Sequence, residues 1–341
     1  MKLEERIVLF SKLGEILENS IKRSELSETF YLAKSKNPWF TLDNIEQSLK
    51  NIISQFLDHD KISAFTNGYP KDYFSPVFSK KIGIITAGNL PLVGFQDIIQ
   101  VILAGHIALV KPSSQDEVLL NFIYNTLFKI DSRISEYLVF QDKLNDVDAF
   151  IATGSGNTSR YFEFYFSKRP NIIRKNRNSV AVLSGNESRV QLADLAGDIF
   201  SYFGLGCRNV SKLYVPKNYD FKTFFESIEY WNGILLHSKY NNNYDYMKSI
   251  YLVNMQEHLD NGFLLLKEDA SFSSPISVLY FEYYENLENL NSTLSSNLNE
   301  IQVIVTDLEL PIETVKLGQS QCPKLEEYAD NVDVIEFLKS V

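Results

Sequence analysis

The chain has 341 residues, with 33 Lys and Arg against 43 Asp and Glu and a net charge of −10 at pH 7. This acidic balance, with no basic block to offset it, excludes a generic nucleic-acid binder, whose phosphate contacts need clustered Lys and Arg. With 45% hydrophobic residues the chain can bury a full core, and its length predicts about two domains.

The N-terminal residues and the cysteine count bear on where the protein works. The first residues are acidic and lead into an amphipathic pattern, so we predict no signal peptide. The most apolar window, residues 90–110, is interrupted by polar side chains, so no integral membrane segment is expected. Two cysteines, Cys207 and Cys322, exclude a disulfide scaffold and a cysteine zinc site. We therefore expect a cytoplasmic protein.

A helical layer followed by a parallel sheet is predicted in the first half of the chain. Residues 1–60 carry apolar side chains at helical spacing. From Lys81 onward, short apolar runs alternate with helical stretches, which is typical of a parallel sheet covered on both faces. The expected strands are 82–86, 106–110, 149–153 and 179–183. Ligands of such a sheet bind at the carboxyl ends of its strands, where residues 88–91, 111–114 and 154–157 stand.

The alternation continues in the second half. Further strands are expected at 212–216, 263–266, 276–281 and 301–306, and helices at 190–200, 221–230 and 334–338. Residues 240–245, rich in Asn and Tyr, are predicted to form a surface loop, and the aromatic segments 161–166 and 221–231 to pack in a core or line an acyl tunnel. The turn cluster at 184–186 predicts a division into residues 1–184, 185–320 and a C-terminal helical segment, 321–341.

A lone thiol follows a glycine-containing turn in Gly204-Leu205-Gly206-Cys207. Glycines let backbone amides approach whatever the thiol attacks, which is what an oxyanion hole requires. The alternative is a small buried hydrophobe, the commonest fate of a free cysteine. Cys322 has no such setting, and we interpret it as structural. The pattern therefore allows two interpretations of Cys207, as a nucleophile or as a core residue.

Three other positions can carry chemistry. Asn89, after the first strand, can donate its side-chain amide to a carbonyl oxygen or simply form a turn. Lys111, after the second strand, can bind a sugar or phosphate or remain a solvated charge. The run Gly154-Ser155-Gly156-Asn157 can cradle a nucleotide, although it matches neither a P-loop nor Gly-x-Gly-x-x-Gly. The four histidines show no metal spacing, so no metal site is expected.

Four short motifs, taken in order, resemble the aldehyde dehydrogenase superfamily. They are Gly88-Asn89-Leu90-Pro91, Lys111-Pro112-Ser113-Ser114, Thr153-Gly154-Ser155, and Gly206-Cys207 followed by Lys212-Leu213-Tyr214-Val215. The superfamily has an Asn-aromatic-Pro turn, a Lys-Pro-Ser turn, a Thr-Gly-Ser turn and a cysteine ahead of such a strand. The resemblance covers about residues 82–216. It implies an α/β fold with a doubly wound parallel-sheet cofactor domain and an α/β catalytic domain.

Within the superfamily, the chain looks most like the long-chain acyl-CoA reductases related to the fatty-acid reductase of bacterial bioluminescence. Residues 37–41, 207–209, 319–321, 327–330 and 335–338 carry this closer match, which extends over nearly the whole chain. It implies Cys207 as the nucleophile, Asn89 as the oxyanion donor and NADPH or NADH as the cofactor. The residues implied to bind the cofactor are Thr86, Gly88, Lys111, Ser113, Gly154 and Ser155.

One departure from the superfamily predicts the direction of the reaction. Aldehyde-oxidising members have Glu-Leu-Gly-Gly-Lys just before the strand at 179–183, where this chain has Ile173-Arg174-Lys175-Asn176-Arg177. The glutamate that activates the deacylating water is absent, and a thioester reductase needs no such water. We therefore predict NAD(P)H-dependent reduction of long-chain acyl-CoA to a fatty aldehyde through an acyl-enzyme on Cys207.

Two other functions stay open at this point. They are an aldehyde-oxidising dehydrogenase and a non-catalytic acyl- or nucleotide-binding protein of the same fold. The expected partners are acyl-CoA and CoA, together with a second copy of the chain in a homo-oligomer or an acyl-transferring protein. Nothing in the sequence matches the superfamily's usual oligomerisation hairpin, and the sequence leaves open the acyl chain length and the choice between NADH and NADPH.

Overall fold

The chain divides into two compact units. The computed structural model describes residues 1–154 and 156–341. Met1–Asn176 and Pro323–Val341 form the first unit, and Arg177–Cys322 form the second. The helices are α1 Leu3–Lys22, α2 Ser27–Lys36, α3 Leu42–Phe56, α4 His59–Asn67, α5 Phe95–Leu103, α6 Glu117–Ile130, α7 Gly156–Phe166, α8 Arg189–Phe200, α9 Phe221–Ile228, α10 Ser238–Val253, α11 Leu287–Ser296 and α12 Val334–Ser340. The strands are β1 Lys81–Ile85, β2 Ile107–Lys111, β3 Leu138–Phe140, β4 Ala149–Thr153, β5 Asn171–Arg174, β6 Asn178–Val182, β7 Val210–Pro216, β8 Leu259–Asp260, β9 Leu265–Glu268, β10 Val278–Tyr284 and β11 Ile301–Val305.

The first unit is built on a parallel sheet of strand order β3-β2-β1-β4-β5. Because side chains alternate across a strand, successive residues face opposite sides of this sheet. Ile84 and Val110, which are paired in register, join the core that the N-terminal helices share. Phe150 faces the other way and stacks on Phe166 of α7, with ring centroids 3.8 Å apart. The predicted parallel sheet with cover on both faces is confirmed.

The N-terminal and C-terminal segments complete the core of the first unit. Thr41 caps α3, because its Oγ1 accepts a hydrogen bond from Asn44 N at 3.2 Å. Apolar side chains of α1 and α3 pack into the same core as β1 and β2. From the other end of the chain, Leu325 and Leu338 are buried there too, and Gln100 Nε2 donates to Leu325 O at 3.0 Å. The predicted helical layer therefore packs on the sheet.

The second unit contains a sheet of strand order β11-β6-β7-β10-β9-β8. Its neighbours pair in parallel except β8 and β9, which are antiparallel. Val182 and Tyr214 belong to one buried cluster with the apolar face of α11, and Leu265 and Val278 belong to another with α10. The domain division at 184 stays a prediction. In the compact units, β6 belongs to the second, because it pairs with β7 and β11.

One local prediction is wrong, and two strands were missed. Residues 240–245 do not form a loop but lie within α10, because Tyr240, Tyr244 and Tyr251 fall on one face of that helix and are all buried. Strands β3 and β5 were not predicted from the sequence, since each has only three or four residues and no clear alternation. The strands were missed because they are short, and the helix because its segment is rich in Asn. The type of fold is unaffected.

The two aromatic segments differ in burial. In α9, Phe221 and Phe224 are buried, as core packing requires. In α7, Phe162 and Phe166 stack against each other on the inner side, whereas the large side chains on the outer side are 65–77% exposed. The exposed residues are Tyr161, Phe164 and Tyr165. Throughout residues 1–154 and 156–341, no helix combines the length and the apolar character that crossing a membrane requires.

A buried ion pair joins α5 to β5 and gives the first testable prediction. Arg174 Nη1 and Nη2 donate to Asp97 Oδ2 and Oδ1 at 2.5 and 2.7 Å, and the two residues are 8% and 2% exposed. Removing one partner leaves an uncompensated buried charge, which typically costs about 3–5 kcal/mol. We predict that Arg174→Met lowers the free energy of unfolding in urea by about this amount.

Two further variants separate this effect from a general loss of charge. Asp97→Leu combined with Arg174→Met removes both charges and should recover most of the stability. Glu18→Gln breaks the exposed Glu18–Lys22 pair on α1 and should change the free energy of unfolding by less than about 0.5 kcal/mol. Equal losses in Arg174→Met and Glu18→Gln would contradict the prediction.

Candidate active site

Turns from neighbouring strands meet at one edge of the first unit's sheet. Because β1, β2 and β4 are adjacent and parallel, their carboxyl ends lie side by side. Thr86 connects two of these turns: its N donates to Lys111 O at 3.3 Å, and its Oγ1 accepts from Ser113 N at 3.2 Å. The structure therefore brings Thr86, Lys111 and Ser113 together at the carboxyl edge of the sheet, where ligands of parallel sheets usually bind.

Gly88 is required by packing at this edge. A Cβ built on Gly88 would lie 2.3 Å from Ser113 Oγ, so the turns after β1 and β2 could not approach so closely with any other residue. The Gly88 carbonyl is also fixed, because Asn37 Nδ2 donates to it at 3.0 Å. Asn37 directly follows α2 and is 3% exposed. The side chain of this loop residue therefore holds the turn that leads to Asn89.

The rest of the Asn89 turn is held by side chains from two helical segments. Ser48 Oγ of α3 donates to Pro91 O at 2.7 Å. Asp116, just before α6, accepts at Oδ2 from Leu92 N at 2.7 Å. Leu92 has a φ of +57°, in the left-handed region that costs a branched side chain energy. Asn89 itself is exposed on this braced turn. Sequence reasoning did not find Ser48, because it lies in no motif. It considered Asp116 only as a candidate, with Gln115, for the 2′-position of the cofactor and not as a partner of Leu92.

Asp116 has an unusual electrostatic environment. It is 1% exposed, and its Oδ1 has no hydrogen-bond partner among the described residues. Burial raises the pKa of the Asp116 carboxyl well above its ordinary value, and the hydrogen bond from Leu92 only partly opposes that rise. Burial therefore disfavours the charged form of this carboxyl beside the Asn89 turn.

The remaining predicted cofactor residues lie at the same edge or outside the described residues. Lys111 is exposed, and Ser113 is half-buried with its Oγ accepting from Gln115 N at 3.3 Å. Gly154 follows β4, and its N donates to Arg174 O of β5 at 3.5 Å. Ser155 lies outside the described residues. An exposed ammonium and hydroxyl groups at this edge are donors that suit the phosphates and sugars of a dinucleotide, so these residues fit such a cofactor.

Cys207 lies in the second unit, just after a tight reversal of the chain. Helix α8 ends at Phe200, and Tyr202, Phe203 and Gly204 then take φ values of 52°, 61° and 76°. Glycine suits this left-handed region, but for Tyr and Phe it is a strained conformation that the surroundings must stabilise. The Phe203 ring packs on His237, with ring centroids 4.2 Å apart. The reversal lets the chain return from α8 to β7 through Cys207.

Side chains on both sides of Cys207 fix its loop. Asn209 Oδ1 accepts from Gly206 N at 2.8 Å, and its Nδ2 donates to Ser201 O at 2.8 Å. Ser179 Oγ of β6 donates to Cys207 O at 2.9 Å. These hydrogen bonds fix the main chain at Cys207, and the residue itself is half-buried. Asn209 lies in the Cys207-Arg208-Asn209 stretch that the sequence resemblance already included.

Other residues of the cysteine motif are structural in this unit. Lys212 is 0% exposed, and its Nζ donates to Glu282 Oε2 at 2.7 Å and to Ala270 O at 2.8 Å. This buried charge is thus paired and hydrogen-bonded. Cys322, the last residue of the second unit in sequence, is half-buried. In the part of the chain that the structure describes, no three His, Cys, Asp or Glu side chains are grouped so as to hold a metal ion.

Comparisons with known proteins bear on the family of the chain and on its fold. The sequence model of the family described as acyl-CoA reductase (LuxC) matches residues 12–222. No curated protein matches the chain. Aldehyde dehydrogenase 21 from Physcomitrella patens, in complex with succinate, shares 13% identity at a TM-score of 0.68 over 96% of this chain and 80% of its own. An NAD+ complex of an aldehyde dehydrogenase from Mycobacterium tuberculosis shares 13% identity at a TM-score of 0.62 over 89% of this chain and 73% of its own.

One further solved structure, that of a mutant aldehyde dehydrogenase C from Pseudomonas syringae, was solved with NAD+ and octanal. It shares 13% identity with this chain at a TM-score of 0.59, and the match covers 89% of this chain and 72% of its own. At these identities the likeness shows the fold. The aldehyde dehydrogenase-like α/β fold expected from the four sequence motifs is therefore confirmed.

The Asp116 carboxyl gives a prediction about stability against pH. Its pKa in the folded state is above the unfolded value, so its stabilising contribution is complete at acid pH and is lost as pH rises through the folded-state pKa. We predict that Asp116→Asn abolishes this loss. Relative to the unmodified protein, the variant should gain about 1.4 kcal/mol per pH unit between the unfolded and folded pKa values.

Urea unfolding at a series of pH values from about 4 to about 8 measures this difference. Asp142→Asn, which changes an exposed carboxyl in the same unit, is the matched control and should show no such trend. A stability difference that is constant with pH for Asp116→Asn would show that the carboxyl does not titrate as we expect.

Proposed function

The chain belongs to the acyl-CoA reductase (LuxC) family, and we propose that it reduces long-chain acyl-CoA to a fatty aldehyde with NADPH or NADH. The observation that carries the proposal is Cys207, half-buried on a loop braced by Asn209 and Ser179, within the stretch that matches the family. A fixed backbone and a side chain on a residue that is not fully buried suit a covalent nucleophile. The aldehyde dehydrogenase fold supports the same class of oxidoreductase.

The proposed cofactor site is the carboxyl edge of the first unit's sheet. Lys111 and Ser113 are proposed to contact the adenosine side of the dinucleotide, and Gly88 and Gly154 to allow its close approach. Thr86 is buried and holds the two turns together through Ser113, so we propose that it shapes the site from beneath. The solved NAD+ complexes of similar fold support a nicotinamide cofactor. When bound, the reduced cofactor supplies a hydride to the acyl carbon.

In the first proposed step, the Cys207 thiolate attacks the carbonyl carbon of acyl-CoA. The new S–C bond forms as the bond to CoA breaks, and CoA leaves as a thiolate that takes up a proton. The products are CoA and an acyl group bound to Cys207 as a thioester. Main-chain rigidity around Cys207 favours this step, because the nucleophile loses little freedom on reaching its reactive position.

In the second proposed step, the side-chain amide of Asn89 donates a hydrogen bond to the oxyanion that forms on reduction. The backbone N–H of Cys207 is proposed as a second donor. Collapse of this intermediate breaks the S–C bond, so that the aldehyde leaves and Cys207 returns to the thiolate. The bonds from Ser48 and Asp116 that fix the Asn89 turn let the amide act without rearrangement, which is the source of such stabilisation.

The direction of the reaction is argued from residues 173–177. This segment contains no acidic residue, and Arg174 within it is already engaged by Asp97. A carboxylate that would activate a deacylating water is therefore missing where aldehyde-oxidising relatives carry one. The octanal bound to the Pseudomonas syringae enzyme supports a fatty aldehyde as the product. Acyl-CoA and CoA are then the small-molecule partners.

Replacement of the nucleophile gives the direct test. We predict that Cys207→Ala abolishes oxidation of NADPH or NADH with long-chain acyl-CoA, because no acyl-enzyme can form. Cys322→Ala, which removes the other thiol, should leave the rate within about twofold. Absorbance of the reduced cofactor and release of free CoA measure the two halves of the reaction. Undiminished turnover in Cys207→Ala, or net conversion of aldehyde to acid by the unmodified protein, would overturn the proposal.

The proposed oxyanion donor gives a second test. Asn89→Ala should lower kcat by roughly 10²- to 10³-fold, as the loss of one such donor does in other enzymes. Acyl-CoA should still acylate Cys207, because the sulfur is untouched. Asn125→Ala changes an exposed amide on α6 and serves as the control. If both variants had equal kcat, Asn89 would be a turn residue and not a donor.

A further inference from the structure

Asp198 is a buried carboxylate on α8 that the proposed reaction does not use. It is 0% exposed, and three hydrogen bonds reach its carboxyl group. Its Oδ2 accepts from Gly318 N at 2.6 Å, and its Oδ1 accepts from Ser320 N at 2.9 Å and from Ser320 Oγ at 2.7 Å. Two of these donors are main-chain N–H groups, which cannot accept. The carboxylate therefore fixes the segment from Gly318 to Ser320 against α8.

That segment holds the residue directly after the proposed nucleophile. Ser320 O accepts a hydrogen bond from Arg208 Nε. Burial raises the pKa of Asp198, and the hydrogen bonds from Ser320 and Gly318 and the positive charge of Arg208 oppose this rise. Arg208 is half-buried, so its charge acts on its neighbours with less screening by water. On α8 itself, the acid one turn before Asp198 is Asp194, which is exposed.

Asp198 is also connected to the residue on the other side of Cys207. Its main-chain carbonyl accepts from Asn209 Nδ2 at 3.1 Å, and Asn209 Oδ1 accepts from Gly206 N. Gly206 and Arg208, which flank the cysteine, are thus each connected to Asp198 through one intermediate residue. A substitution of the Asp198 side chain leaves the carbonyl route intact and breaks only the route through Ser320 to Arg208.

We propose that Asp198 is a positioning residue for Cys207, which through Ser320 holds the Arg208 guanidinium in place so that its positive charge favours the Cys207 thiolate. The inference rests on the proposed role of Cys207 as the nucleophile. The thiolate is the reactive form of cysteine, and a neighbouring Arg increases its population. Release of Arg208 therefore lowers the reactivity of Cys207 at neutral pH.

Alkylation of Cys207 by iodoacetamide, followed over a range of pH, tests the proposal without any need for acyl-CoA. In this reaction an S–C bond forms at Sγ and iodide leaves. All variants carry Cys322→Ala, so that one thiol is measured. In Asp198→Asn we expect alkylation at neutral pH to be about 3- to 10-fold slower, with its midpoint moved to higher pH by about half to one unit. Asp194→Asn is the matched control and should leave the profile unchanged.

The direction of the change distinguishes positioning from a direct effect of charge. If Asp198 acted on the thiol only through its own negative charge, its neutralisation would move the midpoint to lower pH, which would overturn the proposal. An unchanged profile in folded Asp198→Asn would overturn it as well. Loss of acyl-CoA reduction alone would not bear on it, because alkylation reports the thiol rather than turnover. The proposal and the proposed function can therefore fail separately.

Two more variants separate the route through Arg208 from a general structural role. Arg208→Gln should reproduce the shift, and adding Asp198→Asn to it should produce no further shift, since both act through one contact. Additive shifts in the double variant would overturn the proposal. Thermal unfolding and circular dichroism establish which variants are folded. If Asp198→Asn does not fold, Ser320→Ala removes one of the three bonds and should shift the midpoint in the same direction, and its failure to do so would be equally decisive against the proposal.

Discussion

The candidate site of the first unit depends on one geometric constraint, namely that neighbouring parallel strands end at the same edge of a sheet. Thr86 N still bonds to Lys111 O of β2, but the buried main-chain groups farther along the turn after β1 need other partners. Asn37, Ser48 and Asp116 supply them from outside the sheet, to Gly88 O, Pro91 O and Leu92 N. The main chain on both sides of Asn89 is therefore held in place, as its proposed role as an oxyanion donor requires.

In the second unit, main-chain groups at the end of a helix also need hydrogen-bond partners. The last carbonyls of α8 need donors, and Asn209 Nδ2 donates to Asp198 O and Ile199 O, and also to Ser201 O just after the helix. The Oδ1 atom of Asn209 accepts from Gly206 N. The same residue thus terminates the helix and fixes the loop that carries Cys207. Tyr202 and Phe203 have left-handed backbone conformations, which are strained for these residues. Such strain persists only where surrounding contacts hold the chain, as they do around this loop.

Local signals explain which features could be predicted from the sequence. Strands β1 and β4 and the turn before Cys207 each depend on a few consecutive residues, so the sequence alone predicts them. The order of the motifs indicated the family, which the comparison confirms. Residues 240–245 were misassigned because their Asn content suggests a turn, whereas burial of tyrosines decided for a helix. The contact between Asp198 and Ser320 spans 122 positions, so no local pattern reveals it. The catalytic roles of Cys207 and Asn89 stay predictions.

The first unit is not continuous in sequence. Its sheet and most of its helices are encoded before residue 177, but Leu325, Val334 and Leu338, which follow the second unit in the sequence, fill part of its core. During synthesis the ribosome therefore delivers the whole second unit before the last pieces of the first. Until then, the apolar surface of the first unit that these late residues cover stays exposed, and such surface on an incomplete chain favours association with other chains.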